Sequence, residues 1–360
     1  KEKRQLRRKQ LDEGEIRRQA RVREDAIPYV ALLCLQFLPL IGSGKEITLA
    51  YFMGVASITV FVAARQETID EAEYITTKNA LFAPIGASAS LFLVYLLLKF
   101  GIDPTALYAF FVTALGALSI SDIGVPILRN ILPKQFAEGK ITIPDSVAEQ
   151  LELDEPSLPL DGVTTLVLGI VCSIAYWVPA AMAQKFIVSN VIAWSLAMVS
   201  LGAISLGSYQ TASILLAGLF CYDIFWVFGT DVMMTVATKI EAPVKFIYPI
   251  PPSDTMPDYP FSVLGLGDVV IPGLFVRFMA QADKVLKPTN LSYLNVATAA
   301  YTVGLGLCFI VNTITHAGQP ALLYLDPALV GSTLAAGAAN NQLADLWAFK
   351  QEQQPGDEVM

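Results

Sequence analysis

Two aspartates sit where an acid is expensive to hold. Asp223 lies within Leu219-Phe220-Cys221-Tyr222-Asp223-Ile224-Phe225-Trp226, and Asp268 within Gly265-Leu266-Gly267-Asp268-Val269-Val270-Ile271. Both surroundings are apolar enough for a membrane-embedded helix, where an acid costs about 2.5–3.5 kcal/mol on insertion scales. If the two carboxyls meet, like charges a few Å apart cannot both ionise cheaply, so they share a proton. The ionised member can then draw a proton from a water attacking a peptide carbonyl. The protonated member can polarise that carbonyl and later assist the leaving amine. Such a pair titrates as a unit, so neither role belongs to one residue.

The flanking residues suit this chemistry. Gly265 and Gly267 weaken the helix ahead of Asp268 and let another backbone come close. Tyr222 offers a hydroxyl beside the pair. A structural pairing with Tyr, Ser or water explains a lone intramembrane Asp equally well, but two acids at matched depth, one behind Gly-x-Gly, favour catalysis. A third feature is Gln319-Pro320-Ala321-Leu322-Leu323-Tyr324-Leu325. Pro320 lacks an N–H and pushes its predecessor towards an extended backbone, which is tolerable at depth only where it lines a cavity or is buried in protein. On spacing alone, an ordinary Pro at a helix start accounts for it better.

Other chemistries find no support. His316 is the only histidine, so a His-Glu-x-x-His zinc site is impossible and no metal is expected. It is also a poor base for a serine nucleophile, there being no Gly-x-Ser-x-Gly partner. Cys34, Cys172, Cys221 and Cys308 are scattered singly through apolar blocks, as small buried hydrophobes rather than ligands or disulfides. No phosphate or dinucleotide fingerprint implies a cofactor.

The elements that must carry these residues are membrane helices. Apolar residues make up 54% of the 360 positions and charged ones 16%, where a soluble chain shows nearer a quarter charged. The apolar residues fall into blocks of roughly 18–22, enough to cross about 30 Å of hydrocarbon. The blocks predict an all-α polytopic membrane protein, a nine-span helical bundle with spans at 46–64, 80–99, 104–124, 162–183, 187–205, 210–230, 261–279, 294–315 and 319–338. With span six ending near Thr230 and span seven starting near Phe261, Asp223 and Asp268 each lie seven residues from the same face, about 10 Å deep. The division expected is a basic arm (1–25), a short hydrophobic segment (26–44), an N-terminal membrane subdomain (45–205) with an acidic loop at 125–161, a catalytic membrane subdomain (206–340), and a tail (341–360).

Orientation follows from Lys and Arg. After the first span, one side holds Arg65, Lys78, Arg129, Lys134, Lys140, Arg277, Lys284, Lys287 and Lys350; the other holds Lys99, Lys185, Lys239 and Lys245. The richer side is cytosolic, which puts the C-terminus in the cytosol, the 231–260 loop in the lumen or exterior, and the sequon Asn290-Leu291-Ser292 out of reach of glycosylation. The arm, with Lys1, Lys3, Arg4, Arg7, Arg8, Lys9, Arg17, Arg18, Arg21 and Arg23, suits anionic cytosolic lipid rather than nucleic acid. Nine spans would put it on the wrong side. The conflict disappears if 27–41 crosses as a tenth helix or is a cleaved signal-like core.

Taken together, Tyr222-Asp223, Gly265-Leu266-Gly267-Asp268 and Pro320-Ala321-Leu322 resemble the three signatures of the GxGD intramembrane aspartyl proteases, the presenilin and signal peptide peptidase family. The stretches Tyr222–Gly229, Glu241-Ala242-Pro243, Leu264–Gly273 and Gln319–Leu325 look like the signal peptide peptidase branch, and the similarity is strongest from residue 205 onward. The resemblance implies nine spans, a lumenal N-terminus, a cytosolic C-terminus and residence in the endoplasmic reticulum. It implies Asp223 and Asp268 as the catalytic pair, and Pro320, Ala321 and Leu322 as residues that shape the site and bind substrate. Its partners would be the lipid bilayer and type II-oriented transmembrane peptides such as leftover signal peptides, with homo-oligomerisation left open. The 27–41 stretch with its basic arm departs from this pattern, and the tail lacks a Lys-based retrieval signal. The competing reading is a proton-coupled transporter or channel using the same two aspartates. Spans one to five contain no second Gly-x-Gly-Asp site to match it. Within the loop, Val244–Tyr248 has strand-like composition and is expected to pair with unwound substrate or to form a plain hairpin.

Overall fold

The computed structural model describes residues 17, 19–66, 73–133, 136, 139–142, 144, 156–178, 182–250, 261–315 and 317–351. Most of the basic arm, the centre of the acidic loop, His316 and the end of the tail lie outside the described residues. The helices are α1 (Ala26–Leu35), α2 (Lys45–Arg65), α3 (Thr77–Lys99), α4 (Thr105–Ile131), α5 (Leu160–Trp177), α6 (Met182–Ala203), α7 (Tyr209–Phe228), α8 (Val232–Lys239), α9 (Leu266–Leu286), α10 (Tyr293–Thr315), α11 (Leu322–Ala339) and α12 (Leu343–Ala348). Short strands join in pairs. β1 (Glu73–Ile75) runs parallel to β4 (Ile204–Leu206), while β2 (Lys140–Thr142) with β3 (Ser157–Pro159) and β5 (Lys245–Pro249) with β6 (Phe261–Gly265) are antiparallel.

The all-α polytopic membrane bundle read from the sequence is the architecture observed. Among the described residues, eight helices are long and apolar enough to cross a membrane: α2 to α7, α10 and α11. Helix α9 has the length, at 21 residues, but carries Asp268, Arg277, Asp283 and Lys284. Exposed Phe110, Leu118, Val171, Ile174, Phe225 and Ile314 give the bundle an apolar outside, as hydrocarbon requires, while the helices satisfy their own backbone groups.

Several expected boundaries are corrected. The predicted seventh span at 261–279 opens as strand β6, and its helix starts only at Leu266. Span four stops at Trp177, short of 183, because the chain turns extended at Val178. Helix α4 continues through Pro126 to Ile131, so the acidic connection begins after it rather than at 125. Arg277, counted above among the connections, lies buried inside α9 and donates to the Ala63 carbonyl at 2.9 Å.

The segment ahead of α2 runs the length of the bundle. At one end Asp25 pairs with Arg65 at 3.3 Å, Gln66 donates to the Tyr29 hydroxyl, and Asn130 donates to the Gln19 carbonyl. At the other end the Tyr248 hydroxyl donates to the Gly42 carbonyl at 2.5 Å. Residues 25–42 therefore lie antiparallel to α2, and the chain ahead of them starts from the end that holds Arg65 and Arg129.

Packing around the aspartate-bearing helices depends on close approach. A Cβ at Gly304 of α10 would come within 3.0 Å of the Tyr324 carbonyl oxygen, and one at Gly218 of α7 within 2.7 Å of Pro84 in α3. Glycine at these two places lets α10 meet the start of α11, and α3 meet α7. Helix α2 belongs to the same core. Phe52 stacks on Phe309 with centroids 5.4 Å apart, and Thr302 donates to Ser57 at 2.9 Å.

Candidate active site

Asp223 is carried by α7, which starts at Ser208, whose hydroxyl accepts the Thr211 N–H. The acid lies five residues before the helix ends at Phe228, and is 5% exposed. Asp268 is the third residue of α9, just past the β5–β6 hairpin. The hairpin thus replaces the first turns of the expected span and delivers Asp268 to the level of Asp223. The two carboxyls lie within electrostatic reach of one another.

Helix starts surround the pair. Leu322 opens α11, and its N–H donates to the Asp223 carboxylate at 3.0 Å. This is one of the N–H groups that a helix start leaves without an internal partner. Asp268 sits in the first turn of its own helix, where the dipole favours negative charge. The Tyr301 hydroxyl of α10 donates to the Asp268 main-chain carbonyl at 3.3 Å and anchors that turn. The site can therefore hold one negative charge against dipoles fixed in advance.

The other expected site residues gather here too. Tyr222 is half-buried within electrostatic reach of both carboxyls, without hydrogen-bonding either. Gly265 lies against Asp268, since a Cβ there would sit 3.5 Å from its Oδ2, whereas Gly267 faces open space. Pro320, Ala321 and Leu322 are buried where non-helical backbone gives way to α11. Irregular backbone at Pro320 is thus buried in protein, and its role in the fold is to turn the Leu322 N–H onto Asp223.

A cavity of about 430 Å³ opens beside the pair, lined among others by Leu91, Tyr108, Tyr222, Val236, Lys245 and Gly265. Its walls are mainly apolar. Lys245 donates to the Ala237 and Ile240 carbonyls at the end of α8, and burial pushes its ammonium down to about 8.

The hairpin has one occupied edge and one open one. Leu266 donates to the Val244 carbonyl, so the residues whose main chain faces away from the partner strand are Lys245, Ile247 and Pro249 on β5 and Phe261, Val263 and Gly265 on β6. Asn190 of α6 fills the β5 edge, accepting the Ile247 N–H and donating to its carbonyl, both at 2.9 Å. Of the two expectations for Val244–Tyr248, the hairpin is the one observed: it pairs with β6, and Asn190 occupies its outward face at Ile247. Val263 and Gly265 keep an open edge next to Asp268.

Asp326 joins the site without having been singled out. It is an acid inside an apolar helix, the criterion that picks out the pair, but it lies beyond the Pro320 motif and has no glycine flank. It is buried on α11, within electrostatic reach of both Asp223 and Asp268.

A family profile described as signal peptide peptidase matches residues 67–353. The chain is 32% identical to the signal peptide peptidase of Mus musculus over 337 residues, which is 92% of this chain and 85% of that protein. It has the same identity and coverage with the signal peptide peptidase of Homo sapiens. A probable intramembrane protease of Schizosaccharomyces pombe is 31% identical over 82% of this chain and 92% of its own length. With the profile spanning the helices that carry both aspartates and the relatives covering most of both chains, this chain belongs to the signal peptide peptidase family.

Proposed function

We propose that the chain is an aspartyl intramembrane protease that cuts type II-oriented transmembrane segments, leftover signal peptides among them, in the endoplasmic reticulum membrane. The observation that carries this is the meeting of Asp223 and Asp268 from helices consecutive in the membrane, each beside a helix start. Family membership and the relatives' names support the protease reading. The pair shares one proton: its ionised member takes a proton from the attacking water, and its protonated member polarises the scissile carbonyl. The proton then passes to the leaving amine. Leu322 N–H steadies the charge left on Asp223, and Tyr222 orders the polar side of the cavity. The catalytic half is 206–340, with 45–205 framing it.

A helical substrate hides its peptide bonds, so it must unwind before water reaches one. The open edge of Val263 and Gly265 offers the unwound backbone a strand partner, and the space at Gly267 leaves room for it beside Asp268. The cavity lined by Leu91, Tyr108 and Val236 is the approach from the bilayer, and Pro320-Ala321-Leu322 shapes the site through the Leu322 N–H on Asp223. The cytosol lies at the end bearing Arg65 and Arg129, and the β5–β6 hairpin lies towards the lumen.

The purified protein in lipid vesicles, given a signal-peptide-like transmembrane peptide in type II orientation, is expected to yield two fragments cut within the apolar stretch. The same peptide inserted in reverse should stay intact. Equal cutting of both would remove the orientation preference, and no cutting of either would remove the protease reading.

A further inference from the structure

Asp326 lies one helical turn beyond Leu322, so the two share a face of α11, and it is from this face that Leu322 holds Asp223. The side chain is 4% exposed, and neither carboxyl oxygen has a hydrogen-bond partner. Among the described residues it is the only carboxyl with both oxygens in that state. Burying a carboxylate without partners costs several kcal/mol, whereas a Leu there would carry no such penalty. A group so costly to the fold and so near the pair suggests a role in the chemistry.

Its electrical surroundings are defined. α7 brings Asp223 and α9 brings Asp268 within reach of it, and among the described residues no cation acts on it. α10 adds Tyr301 and Cys308 to the same cluster, while Asp345 of α12 is exposed beyond the other end of α11.

We propose that Asp326 is a positioning residue for the catalytic pair: a third carboxyl that keeps one proton on Asp223 and Asp268 to higher pH than two carboxyls alone would. Once Asp326 is charged, its field opposes a second negative charge on the pair. The proposal rests on reading that pair as the catalytic centre.

The test compares cleavage rate against pH for the wild type, Asp326→Asn and Asp326→Leu, with thermal unfolding alongside. Both variants should fold, with Asp326→Leu at least as heat-stable as the wild type, and both should lose activity on the alkaline side about one pH unit earlier, a shift equivalent to about 1.4 kcal/mol. Profiles that superimpose after scaling would overturn the proposal. So would a drop in stability with the profile unmoved, which marks a structural carboxyl. A second readout needs no activity: the infrared band of protonated carboxyl groups, titrated in the wild type and in Asp326→Asn. If the wild type cuts nothing, the protease reading falls. The band then decides the cluster by itself: an earlier loss of the pair's proton in Asp326→Asn supports it, and an unshifted titration overturns it.

Discussion

At the scale of single residues, the site is an exercise in holding one charge inside a membrane. Two carboxyls would be ruinous there if both ionised, and inert if both were neutral. The Leu322 N–H fixes one side of this balance at 3.0 Å from Asp223, and a proline there removes it. Proline is tolerated at a helix's first position, where the lost N–H has no partner within the helix. Leu322→Pro should therefore keep the body of α11 while removing the donor, with Ala321 ahead of it pushed from its αR conformation towards an extended backbone. Hydrogen bonds to charged groups contribute about 1.5–3 kcal/mol, so kcat should fall by about 10- to 150-fold. Thermal unfolding close to that of the wild type, measured alongside, separates this loss from misfolding. An unchanged kcat would mean that Asp223 is held in some other way during catalysis. The sequence makes Asp223 and Asp268 legible because acids in apolar blocks are rare. It cannot reveal that the Pro320 motif sets a main-chain N–H against Asp223, since a backbone donor leaves no side-chain signature.

At the scale of elements, the β5–β6 hairpin decides the level at which Asp268 meets its partner. Its second strand, Phe-Ser-Val-Leu-Gly, runs unbroken into the helix that follows. A short apolar run next to a helix does not reveal its own period, so span seven reads as helix from Phe261. Span four overran for a similar reason, as apolar residues continue past the point where the chain turns extended. The hairpin also yields a test of strand addition. Val263→Pro removes an N–H that faces outward and leaves the rungs to β5 in place. The expected result is a raised KM with little loss of heat stability. Phe246→Pro, by contrast, removes a rung of the hairpin itself and should reduce both activity and stability. Unchanged KM in Val263→Pro would mean that substrate does not use this edge.

At the scale of the whole molecule, the N-terminal segment bears on the conflict posed by the basic arm. Because 25–42 runs the length of α2, the chain ahead of it starts beside Arg65 and Arg129, the end richer in cations. Fifteen apolar residues at 27–41 are short for a span when counted alone. Residues 19–24 are helical as well, but a turn at Asp25 separates them from α1. Moving Arg277 into the core leaves eight cations against four in the counted connections, so the orientation argument keeps its sign. A reporter fused ahead of Lys1 and one after Met360 should both be digested by protease added outside sealed microsomes, whose outer face is cytosolic. Asn290 should carry no glycan, since it lies near Asn340 at that same end. A glycan on Asn290 would invert the topology.

The central claim is that Asp223 and Asp268 act as one proton-sharing unit. Its most direct test is cleavage of a signal-peptide-like transmembrane peptide by purified wild type, Asp223→Ala and Asp268→Ala, across pH. The account predicts a bell-shaped profile for the wild type and a loss of at least about 1,000-fold in each single variant, within the range ascribed to acid–base groups. Near-normal cutting by either folded variant would contradict it.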